Sequence, residues 1–157
     1  MSETESDHAD VVVLPPLLYL SSVLAGALTQ WLLGGSIAAG SGLRVAAGAV
    51  FLITGLAGAV GFSRTFARAG QDRSPRTSTP SIVTDGLYRY SRNPAYVSLT
   101  AIQVGLALLF DNPWMLALLV PVLAIMHYGV ILREEAYLER KFGDAYLAYK
   151  ARVRRWL

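Results

Sequence analysis

The sequence predicts an all-α integral membrane protein with four transmembrane helices, a carboxyl-terminal helical hairpin and amphipathic helices in a cytoplasmic tail. Three observations predict this fold. Of the 157 residues, 54% are hydrophobic and only 16% are charged, against roughly 25% charged in typical soluble domains. Acidic and basic residues are absent from four long stretches, and the basic residues cluster in two segments. A soluble domain of this length would still expose about 30% of its unfolded surface, so a disordered chain and an ordinary soluble enzyme are both excluded.

The four uncharged stretches account for the four predicted spans, since a membrane-spanning helix needs about 20 apolar residues. The first span is expected at residues 14–33 and the second at 45–63. The third, 93–110, is somewhat short for a hydrocarbon core about 30 Å thick. The fourth is expected at 112–132.

The connection between the third and fourth spans predicts a tight helical hairpin. Asp111 is expected to be its solvated tip, Asn112 to cap the next helix, and Pro113 to fit the first turn, where no amide partner is needed. In the second span, small residues provide a flank on which another helix can approach closely in lipid: Gly55, Gly58, Ala59 and Gly61.

The basic residues predict the orientation in the membrane. All but one of the 14 lie in segments 64–92 and 133–155, and Arg44 is the exception. Basic residues accumulate on the cytoplasmic side, so four crossings place both termini and the central loop there. The first ten residues are acidic and are expected to be a flexible tail; they lack the basic region of a cleaved signal peptide. Because orientation already explains the basic clusters, no nucleic-acid partner is expected.

The first segment that could carry chemistry is GLYRYSRNPAY, at the cytoplasmic edge of the third span. Asp85 and Gly86 predict a turn. Asn93 is expected to cap the third span, with Pro94 in its first turn, and the free amides there would favour a carboxylate or another anion. An aromatic belt with snorkelling arginines would explain the same residue types, so a structural role stays open.

The second segment is the carboxyl tail, residues 133–157. Apolar residues recur in it at spacings of three and four, which is typical of an amphipathic helix on a membrane surface. Gly143 followed by Asp144 predicts a helix end and a new cap. Glu134 and Glu135 follow directly on the fourth apolar run, where a carboxylate is costly unless it is paired or hydrated. A ligand or an arginine partner is the more economical interpretation.

Metal chemistry is not expected. The chain has no cysteine and only two histidines, whereas zinc sites are built from several cysteine, histidine or carboxylate ligands. His8 lies in the acidic tail. His127 lies within the fourth span, where a neutral imidazole that bonds between helices explains it as well as a functional role does.

These two segments, with the hairpin between them, resemble the carboxyl half of the isoprenylcysteine carboxyl methyltransferase and phospholipid methyltransferase superfamily of integral membrane enzymes. The family pattern is approximately G-x-Y-x-x-x-R-H-P-x-Y, a hairpin, then E-E-x-x-L-x-x-x-F-G-x-x-Y-x-x-Y and a basic, tryptophan-containing end. The resemblance covers residues 86–157. The matching positions are Gly86, Tyr88, Arg92, Pro94, Tyr96, Glu134, Glu135, Leu138, Phe142, Gly143, Tyr146 and Tyr149.

The resemblance implies methyl transfer from S-adenosylmethionine to a lipophilic or small acceptor, a carboxylate, thiol or amine, at the cytoplasmic membrane face. The chain is accordingly expected to divide into three regions: the flexible tail 1–10, two spans within 11–63, and a methyltransferase core at 64–157 that includes the hairpin 93–132. Glutamate suits the cofactor's ammonium, arginine its carboxylate, and tyrosine its adenine and sulfonium. Arg92 and Glu135 are the expected catalytic residues, and the expected cofactor-binding residues are Tyr88, Arg92, Asn93, Pro94, Tyr96, Glu134, Glu135, Tyr146 and Tyr149.

The sequence departs from the family pattern at the start of the third span. Asn93 stands where the family usually has histidine, so a role that needs an imidazole proton would be lost. Val97 and Ser98 stand where leucine and glycine are common. Two alternatives stay open: an NADPH-dependent membrane sterol or steroid reductase, whose tail is similar, and a non-catalytic helix-packing protein. The short chain and the paired glutamates favour the methyltransferase.

Overall fold

The structure, a computed structural model, describes residues 9–69 and 81–157. The acidic tail therefore lies almost entirely outside the described residues, as does most of the polar half of the central loop. Within the described ranges the chain is helical and has no β-strand, although an isolated parallel bridge joins Ser91 to Arg154. A 3-10 turn at Gly86–Arg89 precedes the third of the seven α-helices, which are α1 (Pro15–Leu33), α2 (Ser41–Ala69), α3 (Pro94–Leu109), α4 (Pro113–Ala117), α5 (Leu119–Ile125), α6 (Leu132–Phe142) and α7 (Asp144–Arg152).

Three helical stretches of the described chain are long and apolar enough to cross a membrane: Pro15–Leu33, Ser41–Arg68 and Pro113–Phe142. The third of these joins α4, α5, a π-helical segment at Met126–Ile131 and α6. Helix α3 is apolar but has 16 residues, and at 1.5 Å per residue it extends only about 24 Å. The all-helical membrane fold is thus as predicted, whereas only three of the four expected spans reach spanning length.

The end of the fourth predicted span differs from the expectation. The prediction ended this span at residue 132 and placed a separate tail after it. In the structure α6 begins at Leu132, directly after the π-helical segment, and continues to Phe142. No glycine or proline interrupts the chain between these two residues, so the helix carries Glu134 and Glu135 on the same axis as the apolar run.

Helices α2 and α3 pack with their backbones in close contact. A Cβ added to Gly105 would lie 2.6 Å from the backbone nitrogen of Leu52, and one added to Gly55 would lie 2.8 Å from the carbonyl oxygen of Ser98. Small residues permit this approach, which supplies van der Waals contact where no hydrophobic effect separates helix from lipid. The smooth flank predicted on the second span therefore faces α3, and it fixes where α3 begins.

The hairpin end is more structured than the sequence indicated. Asn112 caps α4 as predicted, since its side chain accepts a hydrogen bond from the Met115 amide at 3.0 Å. Asp111 was expected to be a solvated tip; its side chain is 38% exposed, but it also has partners within the protein. Its carboxylate accepts a hydrogen bond from the Ile37 amide at 2.8 Å and lies 3.5 Å from the guanidinium of Arg44. The Arg44 side chain is largely buried there, and the ion pair offsets its desolvation.

Buried polar side chains hold α3 against α1 and α4. Gln103 is 1% exposed, and its amide donates to the Ser22 hydroxyl and to the Met115 carbonyl, each at 2.9 Å. The hydroxyls of Tyr19 and Thr100 are 2.7 Å apart. Because unpaired polar groups are costly in an apolar interior, these bonds specify the register of α3.

Helix α7 folds back after a break at Gly143. This glycine has φ of 51°, a conformation that side chains with a Cβ rarely adopt, and it ends α6 as predicted. Gly143 itself is the N-cap of α7, and Asp144 is the first helical residue, so the expected Asp144 cap is wrong. The chain after α7 then runs beside residues 91–93, where the Arg92 amide donates to the Arg154 carbonyl at 2.9 Å.

Candidate active site

A cavity of about 400 Å³ lies where the start of α3 meets α6 and α7. Its volume is in the range of small-molecule sites, roughly 300 to 1,000 Å³. One part of its lining is apolar and comes from α1, α2 and the residues before α1. The other part contains seven of the residues that the sequence predicted for the site: Tyr88, Arg92, Asn93, Tyr96, Glu134, Tyr146 and Tyr149.

Glu135 is buried beside the cavity and is surrounded by cations. Its side chain is 7% exposed. Arg155 donates to both of its carboxylate oxygens, at 2.9 and 2.8 Å, and the guanidinium of Arg92 lies 3.1 Å away. Lys150 is more distant, at 3.9 Å. A buried carboxylate requires such partners, and these hydrogen bonds in turn raise the pKa of Arg155.

Arg92 connects this ion cluster to the cavity. Its side chain is 8% exposed, and its second terminal nitrogen donates to the Lys150 carbonyl at 3.3 Å. Its Nε, by contrast, is buried and has no hydrogen-bond partner in the described structure. A buried donor without a partner costs about 1 to 3 kcal/mol. Arg92 as a residue lines the cavity, and an unpaired buried donor in a native structure is a feature that a functional role can explain.

Glu134 faces the cavity in a different environment from that of its neighbour. One of its oxygens accepts a hydrogen bond from the Tyr96 hydroxyl at 2.7 Å. Unlike Glu135, Glu134 forms no ion pair with any lysine or arginine in residues 9–69 and 81–157. The two adjacent acids therefore differ: Glu135 is neutralised within the protein, and Glu134 has an oxygen to offer to a ligand.

Three of the tyrosines at the cavity, Tyr88, Tyr146 and Tyr149, are protonated at neutral pH. Burial raises the pKa of Tyr149 to about 12, although the charge of Arg92 counteracts this shift. Burial also raises the pKa of Tyr88 and of Tyr146. The Tyr149 hydroxyl donates to the Tyr88 carbonyl at 2.8 Å. These side chains can thus offer aromatic faces and neutral hydroxyl groups, and none of them is a general base at neutral pH.

Asn93 has a different role from the expected one. It lies at the N-cap position of α3, but its side chain does not cap that helix. Instead, its amide donates to the Arg155 carbonyl at 2.9 Å, because the carboxyl-terminal chain runs alongside it. Pro94 begins α3 as predicted. Neither Pro94 nor Glu135 is among the described residues that line the cavity, so the nine predicted residues cluster together but seven of them face it.

Sequence reasoning missed the contribution of Arg155 to this cluster. The sequence indicated a ligand or an arginine partner for the two glutamates but did not identify Arg155, whose guanidinium binds Glu135. The signal that could have found this contact is Gly143, since the break there turns α7 back toward α6. The apolar lining from Phe62, Phe66 and Pro15 was also missed, and nothing in the local sequence distinguishes these residues from ordinary lipid-facing ones.

Known proteins match part of this chain. The sequence profile of the phospholipid methyltransferase family matches residues 42–145. The Protein-S-isoprenylcysteine O-methyltransferase of Schizosaccharomyces pombe is 35% identical over 96 residues, which cover 58% of this chain and 41% of that relative. An uncharacterized protein of Haemophilus influenzae is 45% identical over 64 residues, 40% of this chain and 98% of its own length. This chain thus spans less than half the length of the yeast relative. No solved structure matches the chain with significance.

Proposed function

This chain belongs to the phospholipid methyltransferase family, as its motifs predicted, and from that premise we propose that it transfers a methyl group from S-adenosylmethionine to a lipophilic or small acceptor at the cavity. One observation carries the proposal. The same cavity is lined by Arg92, which has a buried nitrogen without a partner in the described structure, and by Glu134, which has no cationic partner there.

These two side chains fit the amino-acid end of the cofactor. The Arg92 guanidinium can bind the cofactor's carboxylate, and Glu134 can accept from its ammonium, so each charged group gains a charge-assisted hydrogen bond from the ligand. The faces of Tyr88, Tyr146 and Tyr149 suit the adenine ring and the positive sulfur. When it is bound, S-adenosylmethionine supplies a methyl group attached to a cationic sulfur. After the methyl group is transferred, the rest of the cofactor leaves as a neutral thioether.

The protein's part in the reaction is then chiefly to bind, orient and exclude water. Glu135 holds the Arg92 guanidinium in place, so the donor for the carboxylate is positioned before binding. Holding acceptor and methyl group in line can provide up to about 7 to 11 kcal/mol. A carboxylate or thiolate acceptor needs no base, whereas an amine acceptor would lose a proton, for which Glu134 is the available group at the cavity.

The proposal includes an orientation in the membrane. Helix α3 crosses as a fourth and short span, which a bilayer can accommodate by thinning or by snorkelling of flanking residues. Both termini and the central loop then lie on the cytoplasmic side, because the basic residues concentrate there. All the polar groups at the cavity belong to segments at the cytoplasmic side. A lipophilic acceptor reaches the cavity from the bilayer.

The test is cofactor binding by the full chain purified in detergent. Titration with S-adenosylhomocysteine is expected to show binding that Arg92→Ala and Glu134→Gln each weaken by about tenfold, the effect of losing one charged hydrogen bond. Arg89→Ala is the matched control, since Arg89 lies three residues away and is exposed, pairing only with Asp85 in the described structure. A radiolabelled methyl assay with lipid extract and small thiols then identifies the acceptor.

Three outcomes would contradict the proposal. Binding of NADPH without binding of S-adenosylhomocysteine would favour the reductase. Binding of neither compound would favour a helix-packing protein. Binding of S-adenosylhomocysteine that is indifferent to both substitutions would place the cofactor outside this cavity.

A further inference from the structure

The residues before α1 form an ordered strap across the end of the helical bundle. We define the amino-terminal strap as residues 9–13. Ala9 and Val11 are 3% and 6% exposed and belong to the main apolar core. The Arg133 guanidinium donates to the carbonyl of Asp10 at 2.9 Å. The strap is therefore packed onto α6 by side chains and held there by its own backbone.

The π-helical segment supplies the second attachment of the strap. The amide of Val12 donates to the Gly129 carbonyl at 3.1 Å. Gly129 has no side chain, and a Cβ at that position would already be in van der Waals contact with Val12, at 3.5 Å. Turns of π-helix are rare and occur frequently at functional sites. Here the π-helical segment contacts the amino-terminal strap, and Ala9 of the strap lines the cavity.

The strap and the start of α1 provide an apolar wall of the cavity. Ala9, Pro15 and Pro16 line it, together with Leu99 from α3 and Leu138 from α6. None of these five side chains can bond to a polar cofactor group. An apolar chain gains about 0.8 kcal/mol for each buried methylene group, so this wall suits a hydrocarbon chain and not the charged end of a cofactor.

The strap and the start of α1 also lie outside the region that the family profile matches. That profile matches residues 42–145, whereas Arg92 and Glu134, the charged groups suited to the amino-acid end of the cofactor, lie within the match. Leu99 and Leu138 lie within it as well. The strap and the start of α1 are thus the part of the apolar wall that the family match does not include.

We propose that the amino-terminal strap and the start of α1 bind the apolar chain of the methyl acceptor and thereby set which acceptors this protein methylates. This inference rests on the proposed function. It assigns Ala9 and Pro16 as specificity-determining residues, and it assigns the hydrogen bond between Val12 and Gly129 the role of holding the wall in place.

The test uses Ala9→Phe in the full chain, which puts a large side chain at the cavity wall. The matched control is Leu17→Phe, since Leu17 is next to Pro16 in α1 but is 57% exposed and does not line the cavity. Methyl transfer is measured with three N-acetylcysteine thioethers that carry prenyl, geranyl and farnesyl chains. If these are not methylated, alkanethiols or phosphatidylethanolamines of graded chain length replace them.

The expected result is a change in chain-length preference without a change in cofactor affinity. Ala9→Phe raises the KM of the longest accepted chain by about tenfold relative to the shortest, the size of effect that a few methylene groups produce in an apolar pocket. The affinity for S-adenosylhomocysteine is unchanged, and Leu17→Phe behaves as the wild type. Pro16→Phe provides a second test at an exposed position that also lines the cavity, in case the buried substitution impairs folding.

Two results would overturn the inference while leaving the proposed function intact. In the first, both phenylalanine variants fold, bind S-adenosylhomocysteine and keep the wild-type chain-length preference. In the second, they weaken binding of S-adenosylhomocysteine and acceptor equally, which would place the strap against the cofactor. Failure of the wild type to bind S-adenosylhomocysteine at all would instead refute the proposed function.

Discussion

Substitution of Arg155 by alanine tests whether the carboxyl-terminal chain organises the site. Arg155 donates two hydrogen bonds to the buried Glu135, at 2.9 and 2.8 Å, and its carbonyl accepts a hydrogen bond from Asn93. The substitution removes the two side-chain bonds and leaves the backbone bond in place. Glu135 then keeps Arg92, at 3.1 Å, as its main cationic partner.

The expected cost follows from the burial of the two partners. A hydrogen bond to a charged group contributes about 1.5 to 3 kcal/mol, and the Glu135 side chain is only 7% exposed. The Arg155 side chain is 30% exposed, so solvent screening favours the lower end of that range. Two bonds then give about 3 kcal/mol, at the lower end of the roughly 3 to 5 kcal/mol that removing one partner of a buried ion pair costs.

The assay is the free energy of unfolding in mixed micelles, together with the affinity for S-adenosylhomocysteine. Arg155→Ala is expected to lower both the free energy of unfolding and the affinity for S-adenosylhomocysteine. Glu135 is then no longer fixed by Arg155, so it orients Arg92 less firmly. Arg155→Lys restores the charge but not the two-pronged geometry, so its loss is intermediate. Arg152→Ala is the control, since the Arg152 side chain is exposed and donates only to the Ala148 carbonyl in the described structure.

A double-mutant cycle with Glu135→Gln isolates the pair. We expect a coupling free energy of about 2 kcal/mol between Arg155 and Glu135. If the coupling is zero, or if Arg155→Ala costs no more than Arg152→Ala, then the ion cluster does not organise the site and the reasoning is refuted.

Three further predictions concern other parts of the molecule. Tyr96→Phe removes the hydroxyl that orients Glu134 and is expected to weaken S-adenosylhomocysteine binding by about fivefold, roughly 1 kcal/mol, in a titration where exposed Tyr90→Phe has no effect. The pKa of Tyr149 is raised from 10.0 to about 12 in the folded state, so the stability that this group contributes is present below pH 10 and is lost as the pH rises toward 12. Between pH 10 and 12 the free energy of unfolding should therefore fall less steeply for Tyr149→Phe than for the wild type. Gly105→Ala is expected to cost about 1 to 3 kcal/mol of unfolding free energy by overpacking α2 against α3, whereas Gly40→Ala, which meets open space, should be neutral.

The sequence was sufficient to predict that the central segment and the tail meet. A carboxylate at the end of an apolar run needs a partner, and the hairpin returns the chain to the side where the arginines are concentrated. The contact between Arg92 and Glu135, at 3.1 Å, is the result of these two constraints. The cap at Asn112 and the break at Gly143 were predictable for a similar reason, because each depends on a few neighbouring residues.

The face on which each glutamate lies could not be read from the sequence. Adjacent residues on a helix point about 100° apart, so only the rotation of α6 decides between Glu134 and Glu135. That rotation depends on the π-helical segment at Met126–Ile131, whose wider turn shifts every following residue relative to a regular α-helix. The amino-terminal strap was unpredictable for a related reason, since its hydrogen bonds join residues more than a hundred positions apart.

The different environments of the two adjacent acids explain how a site of opposite charges can remain open in an apolar protein. If Arg92 and Glu134 paired with each other, a ligand would have to break an ion pair in order to bind. Glu135 holds the Arg92 guanidinium instead, Arg155 also binds Glu135, and Lys150 pairs chiefly with Glu139. Tyr96 meanwhile occupies one oxygen of Glu134 without neutralising it. The chain thus holds a guanidinium donor and a carboxylate acceptor at one wall, a pairing that matches a zwitterionic ligand.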